Sequence, residues 1–220
     1  MKGLTVSVGY AETLARTLPT WDATLDGVTV VTTPTDTATR ALCAELNVPC
    51  FITRYFYTNG AAFDKGGALS EAMYNAQPDD WWCLFDADIL PPLDWRLQLP
   101  SLTPGKLYGA HRWQSDTGID RPDLVQLGDL EFPGYFWLFS ADDPHFPQPP
   151  EPMFTSWEHA GGYDTDFQGR WDRGDRVRLS LRLLHLGDPG KNWYGVDTGE
   201  RVQEMYRERR RRGGFDHERR

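Results

Sequence analysis

Cysteine is scarce in this chain: Cys43, Cys50 and Cys83 are the only three in 220 residues, and no two form a CxxC pair. An odd number in an acidic chain argues against a disulfide framework or a zinc ribbon, so all three are expected to be small buried hydrophobes. Long apolar runs are missing as well. Nothing approaches the roughly 18 residues needed to span a bilayer, and Met1-Lys2-Gly3-Leu4 enters a strand-like segment instead of a signal peptide. A cytoplasmic protein with no membrane partner is the expectation, or one of the host cytoplasm if a phage encodes it. Internal repeats are absent, and compositional bias is confined to the Pro-rich stretch 144–152 and an Arg-rich end. What is present is apolar and aromatic: 40% hydrophobic residues, including 9 Trp, 9 Tyr and 11 Phe, enough for one well-filled core and too many for a disordered chain.

Basic residues are in the minority, with 23 Lys and Arg against 32 Asp and Glu, a net charge of −9. Residues 201–220 hold eight arginines against four acids, which leaves the body with 15 bases, 28 acids and a charge of −13. Such a body repels polyanions unless a local patch reverses the potential, so the Arg-rich end is the obvious handle for nucleic acid or an anionic surface. That end also reads as a terminal helix: Val202, Met205 and Tyr206 share a stripe and Arg209 to Arg212 form its solvated terminus.

The first ninety residues alternate between strand and helix patterns. Strands are predicted at 4–9, 27–32, 49–54 and 81–85, and helices at 11–18 (ended by Pro19), 36–46 and 65–76. Trp81-Trp82-Cys83-Leu84-Phe85 is continuously apolar, as a strand buried on both faces must be. This alternation predicts crossovers and a mostly parallel sheet. Beyond Pro91-Pro92 prolines, glycines and aromatics crowd the chain, with strands predicted at 106–111, 135–139 and 177–185. Aromatic side chains in this half (Trp113, Phe132, Tyr135, Phe136, Trp137, Phe139, Phe154, Trp157) suit a wall that stacks on sugar or base faces, although most read as core.

The sharpest chemical feature is Asp86-Ala87-Asp88, directly after the buried strand. Ligands of open parallel sheets collect at the carboxyl ends of the strands. Two neighbouring carboxylates repel and are costly to bury unpaired, so a hard cation such as Mg²⁺ or Mn²⁺, with phosphates completing its shell, is the expected partner. A plain surface turn capping the strand is the alternative.

A Rossmann-like half, a strand ending in DxD, a downstream acidic motif and a late histidine together resemble the GT-A glycosyltransferase family, whose members transfer sugars from nucleotide-sugar donors. The resemblance covers residues 4–195. It implies an α/β GT-A fold: a mostly parallel central sheet with flanking helices and an irregular acceptor-binding half. The implied layout is one catalytic domain over 1–200, with a nucleotide-binding half (1–92), an acceptor and metal half (93–200), and 201–220 as an Arg-rich helix or tail.

Residue by residue, the resemblance places Val8 and Tyr10 of the loop after the first strand against the nucleobase, and Asp36 against base or ribose. Asp36 is also a good helix N-cap. The segment Phe63-Asp64-Lys65-Gly66-Gly67-Ala68-Leu69 is similar to the family's F-N-K-G-x-A-L pattern, with Asp64 where asparagine is usual. A lysine opening a helix opposes the macrodipole, so Lys65 suits a nearby diphosphate, and the small residues after it are expected to let a ligand approach the backbone. Gly161-Gly162-Tyr163-Asp164-Thr165-Asp166 resembles the family's G-G-E-D-x-D element, with Tyr163 in place of glutamate. It implies Asp164 as catalytic base with Asp166 second and Glu158 third; a turn with Asp164 as N-cap is the alternative. His185 through Trp193 resembles the H-x-x-G-x-x-K-P-W element of the glycogenin-like branch, with Gly187 one place early and Asn192 for proline. It implies a metal site of Asp86, Asp88 and His185, with Lys191 and Trp193 toward the donor.

The implied activity is metal-dependent transfer of a hexose from a UDP-sugar, with Mn²⁺ or Mg²⁺, to an acceptor hydroxyl. The acceptor is left open among a hydroxymethylated DNA base, a glycan, a protein and a small molecule. A nucleotidyltransferase or a non-catalytic nucleotide-binding module on the same scaffold is the alternative class.

Overall fold

The computed structural model describes residues 1–76, 80–114, 121–122, 134–147, 151–157, 159–160 and 162–186. Strands β1 (Lys2–Val6), β2 (Val28–Thr32), β3 (Cys50–Ile52) and β4 (Trp81–Asp86) alternate with helices α1 (Ala11–Thr24), α2 (Thr37–Glu45) and α3 (Lys65–Ala76). All four strands run parallel, with Leu4 in register with Thr29 of β2 and Leu84 of β4. The apolar run of β4 is explained by its two covered faces. Cys83 and Phe85 share one core cluster with Leu14, Leu18 and Trp21 of α1 and Cys43 of α2, while Trp82 and Leu84 share another with Leu69, Ala72 and Met73 of α3.

The second half adds β5 (Ile89–Leu90), β6 (Leu107–Gln114), β7 (Arg121–Pro122), β8 (Phe136–Ser140), helix α4 (Tyr163–Gln168) and β9 (Arg176–His185). Across the sheet the order is β3-β2-β1-β4-β8-β6-β9-β5, with β7 attached to β6. Strand β8 lies antiparallel to β4 and β6, β6 and β9 are parallel, and β5 closes the far edge antiparallel to β9. The expected parallel half and the less regular second half thus form one continuous sheet. No helix of the described residues is long and apolar enough to cross a membrane.

One boundary departs from the sequence pattern. Helix α1 does not stop at Pro19 but continues through it to Thr24. A proline inside a helix removes a backbone hydrogen bond, and here Trp21 offsets the loss: it is fully buried, stacks on Phe85 at 4.1 Å between ring centroids and donates its indole N–H to the Ile89 carbonyl at 2.7 Å. Of the three cysteines, all free, Cys43 and Cys83 are buried, whereas Cys50 is half-exposed.

Candidate active site

Asp86 is the last residue of β4, in register with Val6 of β1, and its amide donates to the Tyr135 carbonyl at 3.0 Å. The turn that follows is held from two sides. On one, Thr17 of α1 donates its hydroxyl to the Ala87 carbonyl at 2.7 Å and Trp21 binds the Ile89 carbonyl. On the other, Leu186 donates its amide to the Asp88 carbonyl at 2.8 Å, and Ile89 pairs with His185. A two-residue strand too short to show in the sequence pattern therefore carries the end of β9 to the end of β4.

The consequence is a direct contact across 97 residues of chain: His185 Nε2 lies 3.1 Å from Asp88 Oδ2. Both residues are deeply buried, Asp88 at 6% and His185 at 5% exposure. The His185 Nδ1 atom has no hydrogen-bond partner among the described residues. A buried polar atom without a partner is costly and asks for a ligand.

Asp86 itself is turned elsewhere. Its Oδ1 lies 2.5 Å from the Lys65 ammonium at the start of α3. The expected grouping of Asp86, Asp88 and His185 into one three-ligand cluster is accordingly not found among the described residues, where no three such side chains gather as a metal cage. Burial pushes the Asp86 carboxyl upward; Lys65 works against that rise and neighbouring Asp88 adds to it. Burial disfavours the charge on Lys65, but Asp86, followed by Tyr163, holds its pKa above the ordinary lysine value. The lysine stays charged.

The Lys65 ammonium also sits 5.1 Å from the centre of the Tyr163 ring. Tyr163, at the position where the family pattern has glutamate, is buried against Trp137 and Phe154, and its hydroxyl donates to the Gly134 carbonyl at 3.1 Å. Burial first, with Asp86 next to it, raises its phenol despite Lys65, so the ring is neutral.

The backbone around Lys65 is built by protein rather than left open for a ligand. A Cβ on Gly66 would strike the Thr155 carbonyl, and one on Gly67 the Tyr55 ring. Small residues are needed here because segment 151–157 and Tyr55 press onto the helix start, which corrects the expectation of ligand approach. Asp64 fastens that segment: it accepts the Gly67 amide at 2.8 Å and binds the Ser156 hydroxyl and, at 3.3 Å, the Trp157 amide.

At the ends of β1 and β2, Val8 and Tyr10 are half-buried in the loop that leads into α1. Asp36 caps α2 through the Thr39 amide at 3.0 Å, while its other oxygen accepts the Gly9 amide at 2.8 Å and the hydroxyls of Thr39 and Thr32. Burial alone would raise its carboxyl, but these donors bring it below the ordinary value. Asp36 thus fixes the loop bearing Val8 and Tyr10.

In α4 the N-cap is Gly162, so Asp164 is not the cap but lies within the first turn. Its carboxylate accepts the Thr165 amide at 2.9 Å and the Gly134 amide at 3.3 Å, next to the strand that binds Asp86. Asp166 points to the exposed side and accepts the Trp157 indole at 3.1 Å. Glu158, Lys191 and Trp193, and with them the rest of the histidine element and the Arg-rich end, lie outside the described residues. Sequence reasoning missed Arg112, which stacks 4.7 Å over the Tyr135 ring and counters the charge of Asp86; only its placement on a strand beside β9 brings it there. A cavity of ≈ 410 Å³ lined by Lys2, Val28, Cys50 and Trp82 opens at the amino ends of the parallel strands, the edge opposite this cluster.

Asp88 and His185, in contact, supply a carboxylate and an imidazole of the kind a hard divalent cation takes, and Asp86, two positions before Asp88, is a second carboxylate that would have to leave Lys65 to join them.

No protein-family model and no curated protein matches the chain. Solved structures do. Glucosyl-3-phosphoglycerate synthase from Mycobacterium tuberculosis, in complex with Mn²⁺, UDP and phosphoglyceric acid, superposes with a TM-score of 0.60 at 14% identity, covering 98% of this chain and 79% of that one. Mannosyl-3-phosphoglycerate synthase from Rubrobacter xylanophilus gives 0.58 at 15% identity, covering 98% and 76%. A mycobacterial protein gives 0.61 at 15% identity, covering 98% and 75%. At such identities the likeness speaks for architecture, and the architecture of this chain is the GT-A glycosyltransferase fold.

Proposed function

We propose that the chain is a metal-dependent glycosyltransferase that moves a hexose from a UDP-sugar to an acceptor hydroxyl. The observation that carries this reading is the buried Asp88–His185 contact at the carboxyl edge of a GT-A sheet, with the Asp86–Lys65 pair beside it. Asp88, His185 and Asp86 would hold Mn²⁺ or Mg²⁺, which when bound neutralises the leaving diphosphate. Lys65 supplies a positive charge to the same phosphates, and Lys191 a second one. Val8 and Tyr10 receive the base on a loop whose shape Asp36 maintains, and Trp193 is a further donor-binding residue. Asp164, half-buried and close to Gly134, takes the proton from the acceptor hydroxyl, with Asp166 the second choice. Transfer with Asp164 as base inverts the anomeric centre.

The phosphoglyceric acid complexes of the mycobacterial neighbour favour a small anionic acceptor. A DNA acceptor finds no support in these neighbours, and the −13 body opposes it.

Incubation with UDP-glucose and Mn²⁺ tests the reading. Slow UDP release without acceptor, lost in Asp88→Ala and His185→Ala, is expected. Pyrophosphate release would indicate nucleotidyl transfer instead, and UDP release that survives both substitutions would remove the metal assignment.

A further inference from the structure

The Lys65–Asp86 contact joins two groups that the proposed reaction needs on different ligands, the lysine on the diphosphate and the aspartate on the cation. At 2.5 Å each occupies the other. An ammonium and a divalent cation on one carboxylate repel, so the two states compete. We infer that Lys65 is a positioning residue that latches Asp86 away from the metal site until a nucleoside diphosphate draws the ammonium off, so that nucleotide and cation bind as a coupled pair. The inference rests on the glycosyltransferase reading above.

The surroundings leave freedom only where the latch needs it. The backbone at Lys65 is clamped, since Gly66 and Gly67 lie against Thr155 and Tyr55 and Asp64 caps the helix. The Asp86 backbone is clamped too, by β1 and by the Tyr135 carbonyl. Only the lysine stem and the carboxylate can turn. Tyr163 already lies beside the ammonium, 5.1 Å from its ring centre, and that ring is wedged against Trp137 and Phe154 with its hydroxyl tied to Gly134, so a cation leaving Asp86 keeps an aromatic face next to it. By reciprocity, whatever factor UDP adds to metal affinity, the metal adds to UDP affinity.

The test is Mn²⁺ binding followed by electron paramagnetic resonance, with and without UDP, on the wild type, Lys65→Met, Asp86→Asn and the double variant, each checked for folding by circular dichroism. The latch predicts that Lys65→Met binds Mn²⁺ alone about tenfold more tightly than wild type, within the usual range of coupling between sites, and that this gain vanishes in the Asp86→Asn background. Unchanged or weaker binding by Lys65→Met overturns the latch, and so does an equal gain without Asp86, which would be a general charge effect. Mn²⁺ bound with UDP by the wild type and lost in His185→Ala, with no gain in Lys65→Met, sinks the latch and spares the glycosyltransferase reading. No Mn²⁺ bound under any condition sinks both. A wild-type crystal with UDP and a chelator needs no variant: Lys65 Nζ is expected on the diphosphate and off Asp86, and retention of the Asp86 contact beside bound UDP refutes the latch.

Discussion

Replacing Gly134 by alanine should damage stability and turnover together. A Cβ at this position would lie 2.5 Å from the Tyr163 hydroxyl and 2.9 Å from the Asp164 Cβ, both closer than real contacts allow. Neither neighbour yields easily: Tyr163 is buried among aromatic rings and Asp164 is fixed in the first turn of α4. Overpacking of this kind costs about 1–3 kcal/mol; for a chain of this size, a loss of about 2 kcal/mol lowers Tm by roughly 4–8 °C. The displaced groups are the ring under Lys65 and the proposed base, so UDP release in the presence of acceptor should fall about tenfold or more. Gly174→Ala is the control, because a Cβ there meets nothing within 4 Å and the change should stay within about 0.5 kcal/mol. Scanning calorimetry and a coupled UDP assay read both variants. A Gly134→Ala protein with wild-type Tm and wild-type turnover would refute the packing argument.

Further outcomes follow from the same contacts. Asp36→Ala should cost about 1–2 kcal/mol at pH 7 through the lost cap. Because its folded pKa lies below the ordinary 3.8, the contribution is full above that value and disappears as pH falls through the folded pKa; denaturant titrations at pH 7 and pH 3 that showed the same deficit would contradict this. Burial, with Cys50 next to it, pushes the Cys43 thiol up to about 12, and burial raises Cys83 far above its usual value. Iodoacetamide at pH 8 should therefore modify neither until the chain is unfolded, and stoichiometric labelling of Cys43 or Cys83 in the native protein, located by mass spectrometry, would speak against the core as described. Asp164→Asn should lower turnover about a hundredfold or more while leaving Mn²⁺ affinity unchanged, whereas Asp166→Asn, on the exposed side of α4, should change it only a few-fold.

The parallel half was legible because its signals are local. The run Trp81 to Phe85 has apolar side chains on both faces, and Asp36 precedes a helical pattern as a cap should. Helix α1 was cut short at Pro19 because a proline is read locally, while the burial of Trp21 that carries the helix onward is tertiary. The approach of His185 to Asp88 depends on a two-residue strand and one amide from Leu186, neither of which leaves a periodic trace. The glycines after Lys65 were visible, but their reason was not: Tyr55 and Thr155 come from other segments. Tyr163 stood out as a departure from a pattern, and its contact with Lys65 appears only when α3 and α4 are brought together. Asp86 was read from its neighbour in sequence as a partner of Asp88, and in space it is claimed by a lysine 21 residues earlier.

The central claim is that Asp88 and His185 share one divalent cation bearing a nucleotide's diphosphate. A crystal grown with UDP and Mn²⁺, measured for manganese anomalous scattering, tests it most directly. The account predicts a single strong peak within coordination distance of the Asp88 carboxylate and the His185 ring, with diphosphate oxygens completing the shell. UDP bound at the sheet edge with no peak there, and the Asp88–His185 contact intact, would contradict it.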